Sequence, residues 1–183
     1  VMGLIWRNDD GAWVQNPQDF PPDLDVVGLP DWSSYDFKTL PNWSIRCPTP
    51  YVPVQTGRGC PYNCAFCSAR NINERKTRRK SIDLVINEIR HYRERYGVRH
   101  FCIIDDNFLG DKSYIKELLS RLRGEKLSFD CSSNAIRLNQ LEPEIIVALE
   151  EAGCTNLALG IESGSDRVLK QLNKSLTVDE IRH

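Results

Sequence analysis

Three of the chain's seven cysteines fall within eight positions, in the segment Gly57-Arg58-Gly59-Cys60-Pro61-Tyr62-Asn63-Cys64-Ala65-Phe66-Cys67. A C-x3-C-x2-C loop gathers soft thiolates in one turn-rich stretch, and soft sulfur ligands select iron–sulfur clusters, zinc or copper(I). The flanking glycines let the backbone turn sharply and approach a bulky inorganic group. Structural zinc sites close with four ligands and favour paired C-x2-C halves. Here there is no second C-x2-C, and His91, His100 and His183 are scattered. Cys47, Cys102, Cys131 and Cys154 stand singly, three of them in or beside β-type runs, where buried cysteine acts as a small hydrophobe. An ordinary electron-carrying cluster takes four cysteines, whereas three ligands with an open place suit a catalytic centre. The odd count and the crowding argue against a secreted disulfide framework and for a reducing cytoplasm.

Three further polar clusters stand at comparable places: Asp105-Asp106-Asn107-Phe108, Ser132-Ser133-Asn134 and Glu162-Ser163-Gly164-Ser165. Each follows an apolar β-type run, as the cysteine loop does. The runs are YVPVQTG, VRHFCIID, KLSFDCSS and TNLALGIES. Helical patterns separate them. SIDLVINEIRHYRERYG places Val85, Ile89, Tyr92 and Tyr96 on one face, and DKSYIKELLSRLRG does so with Ile115, Leu118, Leu119 and Leu122. EPEIIVALEEAG opens with Pro143 in its first turn and stops at Gly153. Such alternation predicts an α/β fold, a partial (β/α) TIM-like barrel with about four parallel strands and right-handed crossovers. In these barrels catalytic groups sit on loops at the C-terminal ends of the strands, so the four clusters converge on one mouth.

The words GRGCPYNCAFCS after a short strand closely resemble the radical S-adenosylmethionine (radical SAM) superfamily. The resemblance implies that Cys60, Cys64 and Cys67 hold three irons of a [4Fe–4S] cluster whose fourth iron binds the amino and carboxylate groups of S-adenosylmethionine. One electron passed to the sulfonium would then release a 5′-deoxyadenosyl radical, while the protein orients the cofactor and excludes side reactions. Phe66 matches an aromatic position near the adenine. Where relatives often carry Gly-Gly-Glu beside the methionine ammonium, this chain has Asp105, Asp106 and Asn107; these residue types also favour helix N-caps. GIESGS resembles the segment that meets the ribose hydroxyls and the amino-acid end of the cofactor. It offers Glu162, Ser163 and Ser165, and Lys174 matches a basic position that pairs with the cofactor carboxylate. Ser133 and Asn134 are further candidates.

Residues 1–50 differ from the rest. They hold all four tryptophans and Pro17, Pro21, Pro22, Pro30, Pro41, Pro48 and Pro50, which reads as an irregular arm or linker packed on a neighbour. That linker, together with RGCPYNCAFC, DDNF and GIESGS, is similar to the cobalamin-dependent branch of the superfamily. The division expected is therefore 1–50 as a linker after an upstream cobalamin-type domain, and 51–183 as the N-terminal part of a radical SAM core that is incomplete at its C-terminus. Many members of this branch are methyltransferases. Cobalamin would be held by a domain outside these residues, and the piece alone is expected to be a poor catalyst. Thr177 with Glu180 has the form of a capping box opening a last helix.

A methylthiotransferase acting on RNA or protein would share the cysteine loop. So would a non-catalytic iron–sulfur or zinc module, which would never cleave S-adenosylmethionine. The net charge of −1 gives no global pull toward nucleic acid or an anionic membrane. The basic stretch RNINERKTRRK at 70–80 reads as a solvated loop, and without interleaved aromatics it argues against RNA. No apolar run approaches the ~18 residues of a membrane span. The expected partners are a small-molecule substrate and a flavodoxin- or ferredoxin-type electron donor.

Overall fold

Alternating buried positions organise the central sheet of the chain. A computed structural model describes residues 3–35, 51–73 and 75–183, with the backbone alone at 70 and 133–135. In chain order its elements begin with strands β1 (Ile5–Arg7) and β2 (Trp13–Gln15), then β3 (Tyr51–Val54) and β4 (Gly57–Arg58). A short helix α1 (Ala69–Ile72) and strand β5 (Arg78–Arg79) lead into helix α2 (Ile82–Tyr96) and strand β6 (His100–Ile103). Helix α3 (Lys112–Glu125), strand β7 (Ser128–Ile136), helix α4 (Pro143–Glu151) and strand β8 (Cys154–Leu159) follow, then helices α5 (Asp166–Gln171) and α6 (Val178–Arg182).

Strands β3, β6, β7 and β8 form one four-stranded sheet in that order, every neighbouring pair parallel. Val54 stands opposite Ile103, and Cys102 opposite Asp130. The barrel is partial and not closed. Val52, Val54, Phe101, Ile103, Phe129 and Cys131 alternate onto the face covered by helices. There they meet Val85, Ile86 and Ile89 of α2, Leu118, Leu119 and Leu122 of α3, and Ile145 and Leu149 of α4. Residues of the same strands with the opposite parity, His100, Cys102 and Asp130, form a buried polar patch. The His100 ring nitrogens meet Ser128 Oγ at 2.8 Å and Asp130 Oδ2 at 3.0 Å, and Cys102 Sγ donates to Asp130 Oδ1 at 3.4 Å. Cys102 is thus a donor as well as a small apolar filler. Cys131 and Cys154 lie on β7 and β8, and Cys47 falls outside the described residues.

Helix ends follow local chemistry. Ser81 Oγ accepts from Leu84 N ahead of α2, and Gly97 closes that helix in the left-handed conformation. Asp111 caps α3 by accepting from Tyr114 N, and the Thr177–Glu180 capping box opens α6.

Two expectations change. The N-terminal arm is not wholly irregular, because β1 and β2 pair as an antiparallel hairpin around Asn8–Ala12. The basic stretch is not a solvated loop throughout. Arg78 and Lys80 are buried, and Arg78 and Arg79 form β5, which pairs antiparallel with β4. Their charges are absorbed by partners in neighbouring elements, on α2 and in the arm, so local composition misread them. Lys80 Nζ lies 2.6 Å from Glu88 Oε2, and Arg78 Nη1 donates to the Pro21 carbonyl of the arm at 2.8 Å.

Candidate active site at the strand ends

The cysteine loop is an excursion tied off at its base by the β4–β5 ladder, where Gly57 pairs with Arg79 and Arg58 with Arg78. Two glycines are needed there for space. A Cβ on Gly57 would meet the Arg78 carbonyl oxygen at 2.8 Å, and one on Gly59 (φ +88°) would lie 2.2 Å from the Lys76 carbonyl oxygen. The loop is anchored from outside as well. Asp106 Oδ2 accepts from Gly59 N and from Asn73 Nδ2, both at 2.8 Å, and Ala65 N donates to the Leu172 carbonyl at 2.9 Å.

Arg79 in turn holds the turn after β6. It donates to Asp105 Oδ2 at 2.7 Å and to the carbonyls of Asn107 and Phe108 at 2.9 and 2.7 Å. Asp105 also accepts from Thr56 N at 2.7 Å and Thr56 Oγ1 at 2.5 Å. Burial raises its carboxyl above the ordinary value, against the opposing pull of Arg79.

Cys60, Cys64 and Cys67 line a cavity of ≈ 240 Å³. Phe66 and Tyr62 from the same loop, Asp106 and Asn107 from the turn after β6, and Glu162 and Lys174 from beyond β8 also face it. Burial pushes the Cys60 thiol up, with the neighbouring thiols adding to the effect. Glu162, an ordinary residue at φ +67°, directs its carboxylate to Lys174 Nζ at 2.8 Å. Lys174 is flanked by Asn173 and Ser175, also at positive φ, and its ammonium stands 5.8 Å from the centre of the Phe66 ring.

The residues singled out in the sequence divide accordingly. The three cysteines, Phe66, Asp106, Asn107, Glu162 and Lys174 are brought to one cavity. Asp105 is not: it is buried and its contacts brace Thr56 and Arg79. Ser163 and Ser165 are not among the lining residues; Ser163 Oγ accepts from Ser165 N at 3.2 Å in the turn before α5. The side chains of Ser133 and Asn134 lie outside the described residues, and their backbone belongs to β7 rather than to a loop after it.

Arg137, just past β7, was not anticipated. It is buried and faces the cavity; Nη1 lies 3.6 Å from Cys64 Sγ, Nη2 donates to the Lys174 carbonyl, and the guanidinium stacks 3.7 Å from the Tyr62 ring centre. Its place after the third apolar run was the only local signal.

A larger cavity of ≈ 320 Å³ lies between the arm and the strand ends, lined by residues such as Leu24, Trp32 and Ile104 and by no cysteine. Donor chemistry rather than volume marks the site. Among the described residues no three histidine, cysteine or carboxylate groups converge on a single ion. Three soft thiols on one cavity are a donor set that an iron–sulfur cluster takes. Among the described residues the buried Nε of Arg137, like that of Arg79, has no hydrogen-bond partner. The residues present fit an iron–sulfur cluster.

The model of the radical SAM superfamily matches residues 54–183. The chain belongs to the radical SAM superfamily. It is 28% identical over 97% of its length to an uncharacterized methyltransferase of Pyrococcus horikoshii, covering 38% of that protein. It is 27% identical over its full length to cytidylyl-2-hydroxyethylphosphonate methyltransferase of Streptomyces wedmorensis, covering 39% of it. Over 74% of the chain it is 32% identical to bacteriochlorophyllide d C-12(1)-methyltransferase of Chlorobaculum tepidum, covering 31%. The chain thus spans well under half the length of these relatives.

Among solved structures, the cobalamin-dependent S-adenosylmethionine radical enzyme OxsB, bound to aqua-cobalamin and S-adenosylmethionine, superposes with a TM-score of 0.75 at 23% identity, over 98% of this chain and 27% of its own. The methyltransferase TsrM of Kitasatospora setae, bound to cobalamin and a [4Fe–4S] cluster, does so at 0.68 and 15%, over 98% of this chain and 37% of its own. These likenesses identify the partial barrel as the radical SAM fold.

Proposed function

We propose that Cys60, Cys64 and Cys67 hold a [4Fe–4S] cluster with one iron open to S-adenosylmethionine, and that the whole protein is a cobalamin-dependent radical SAM methyltransferase. The observation that carries the reading is the meeting of three thiols, the Glu162–Lys174 pair and Arg137 in one cavity at the C-terminal ends of parallel strands. When bound, the cluster supplies the electron for reductive cleavage of the sulfonium.

The remaining roles fall to the chain's own side chains. Glu162 and Lys174 neutralise each other across 2.8 Å. A zwitterionic amino-acid group can replace that pair, with its ammonium or a ribose hydroxyl on Glu162 and its carboxylate toward Lys174. Phe66 presents a ring to a base, and its exposed face leaves room for one. Asp106 holds the cysteine loop while facing the cavity, and Asn107 offers an amide beside it.

The methyltransferase assignment rests on the relatives named as such in Pyrococcus, Streptomyces and Chlorobaculum, and the cobalamin assignment on the cobalamin-bound structures that share the fold. No residue of this chain is assigned to cobalamin. Residues 1–50 are taken as a linker and 51–183 as the first part of the radical core. A small-molecule substrate and a flavodoxin- or ferredoxin-type donor in the cytoplasm complete the proposal. Among the described residues no helix is long and apolar enough to cross a membrane, and the cysteines there are free thiols.

The test is anaerobic reconstitution of the full-length protein, with iron and sulfide counted per chain and 5′-deoxyadenosine measured after reduction in the presence of S-adenosylmethionine. Cluster uptake and nucleoside release that both vanish in Cys64→Ala are expected. If the loaded, reduced protein releases no nucleoside, the radical reading is lost. Cobalamin retained through purification supports the branch assignment, and a protein that never takes it up removes that part.

A further inference from the structure

We propose that Arg137 is a positioning residue for the cluster, donating to the Cys64 sulfur and making one-electron reduction easier. The inference rests on the reading of Cys64 as a cluster ligand and deepens it.

Three observations support it. Arg137 is 7% exposed, and among the described residues no carboxylate forms an ion pair with it. A buried cation without a counter-charge is expensive, so its place in the fold favours an anion nearby. The group within reach is the sulfur of Cys64, 3.6 Å from Nη1. The guanidinium is held there from two other sides, by the Lys174 carbonyl on Nη2 and by the Tyr62 ring at 3.7 Å.

The physical consequence follows from charge. Hydrogen bonds to cluster sulfurs tune reduction potential. Reduction adds one electron, taken from an external low-potential donor, and with it one negative charge; no bond to the protein breaks. A fixed guanidinium at the sulfur stabilises the reduced form more than the oxidised form, and burial strengthens the effect. Arginine suits the task because its planar fork can serve a sulfur and a carbonyl together while stacking on an aromatic ring.

The experiment is an equilibrium redox titration of the reconstituted full-length protein, followed by electron paramagnetic resonance of the reduced cluster, for wild type, Arg137→Gln and Arg137→Lys. Arg137→Gln is expected to hold the same iron and sulfide but to be about tenfold harder to reduce, which for a one-electron couple is ~59 mV more negative. Its reduced-state spectrum should be altered. Arg137→Lys, which retains the charge without the fork, should fall between and serves as the second probe if the Gln variant folds poorly. Wild-type potentials and spectra in cluster-loaded variants would overturn the inference, even if their affinity for S-adenosylmethionine fell. A wild-type chain that takes up no cluster would overturn this inference together with the reading beneath it, so the two failures are distinguishable.

Discussion

Gly59 shows how far the site depends on single atoms of the protein. Gly59 and Gly97 both sit at positive φ, yet a Cβ on Gly97 meets nothing within 4 Å, whereas one on Gly59 would sit 2.2 Å from the Lys76 carbonyl oxygen. Gly97→Ala should therefore cost about 1 kcal/mol of backbone strain and leave iron uptake unchanged. Gly59→Ala adds a backbone collision to the same strain and displaces the residue next to Cys60. It is expected to cost at least ~3 kcal/mol and to abolish cluster assembly, measured by chemical denaturation and by iron per chain. Asp106→Ala acts on the same loop from the other side. Removing the acceptor shared by Gly59 N and Asn73 Nδ2 should cost roughly 1–3 kcal/mol and lower iron retention on gel filtration without changing the far-ultraviolet circular dichroism. The cysteines were legible because all three fall within eight positions of one another. Arg137 was not, because it lies 73 residues from Cys64 and nothing around it marks a donor to sulfur. Asp105 was legible as an acid but not as a brace, since its partners, Thr56 and Arg79, come from elements distant in sequence.

At the scale of elements, the parallel strands were readable because each is bounded by glycine or polar punctuation and separated by helix-period runs. Val52, Phe101 and Phe129 bury one face whatever the loops do. The β4–β5 ladder was not readable: its strands are two residues each, and Arg78 and Arg79 look like solvent-facing charge until their partners are placed. Helices α2 and α3 are joined by a similar long-range clasp. Glu125 accepts from Arg90 Nη2 at 2.6 Å and from Arg93 Nη1 at 3.0 Å, and these bonds hold its carboxyl below the ordinary value. A depressed folded value means that the stabilisation is fully present above the ordinary carboxylate range and fades as pH falls through the folded value. Glu125→Gln is thus expected to melt slightly below wild type at neutral pH, with the gap closing on acidification. Thermal unfolding across that pH range measures it, and a gap that persists unchanged in acid would contradict the assignment.

Across the molecule, the arm, the β4–β5 hairpin and α2 meet around one buried ion pair, Lys80 with Glu88. Leu24 of the arm is 2% exposed, Asp25 Oδ1 accepts from Ser81 N at 2.8 Å, and Arg78 reaches Pro21 while its guanidinium stands 5.3 Å from the Phe20 ring. Glu88 completes the junction: its second oxygen accepts from the Tyr92 hydroxyl at 2.9 Å, and burial together with this carboxylate keeps that phenol well above its ordinary value. Because Lys80 follows Arg79 directly, a charge left unpaired at position 80 would disturb the hairpin that ties off the cysteine loop. Glu88→Ala strips Lys80 and Tyr92 of their shared partner, and a buried pair broken from one side costs about 3–5 kcal/mol. The double change Lys80→Met with Glu88→Leu removes both charges together and should recover most of that loss. Denaturant unfolding of the three proteins measures the stability, and limited proteolysis within residues 20–35 reports whether the arm stays seated. If the pair matters only as a local prop for α2, the double variant will match wild type in stability and in proteolysis. If it also registers the arm on the barrel, the double variant will be stable yet cleaved faster in the arm, and this second outcome is expected, because Leu and Met cannot fix an angle between elements as two charged hydrogen-bonding groups do.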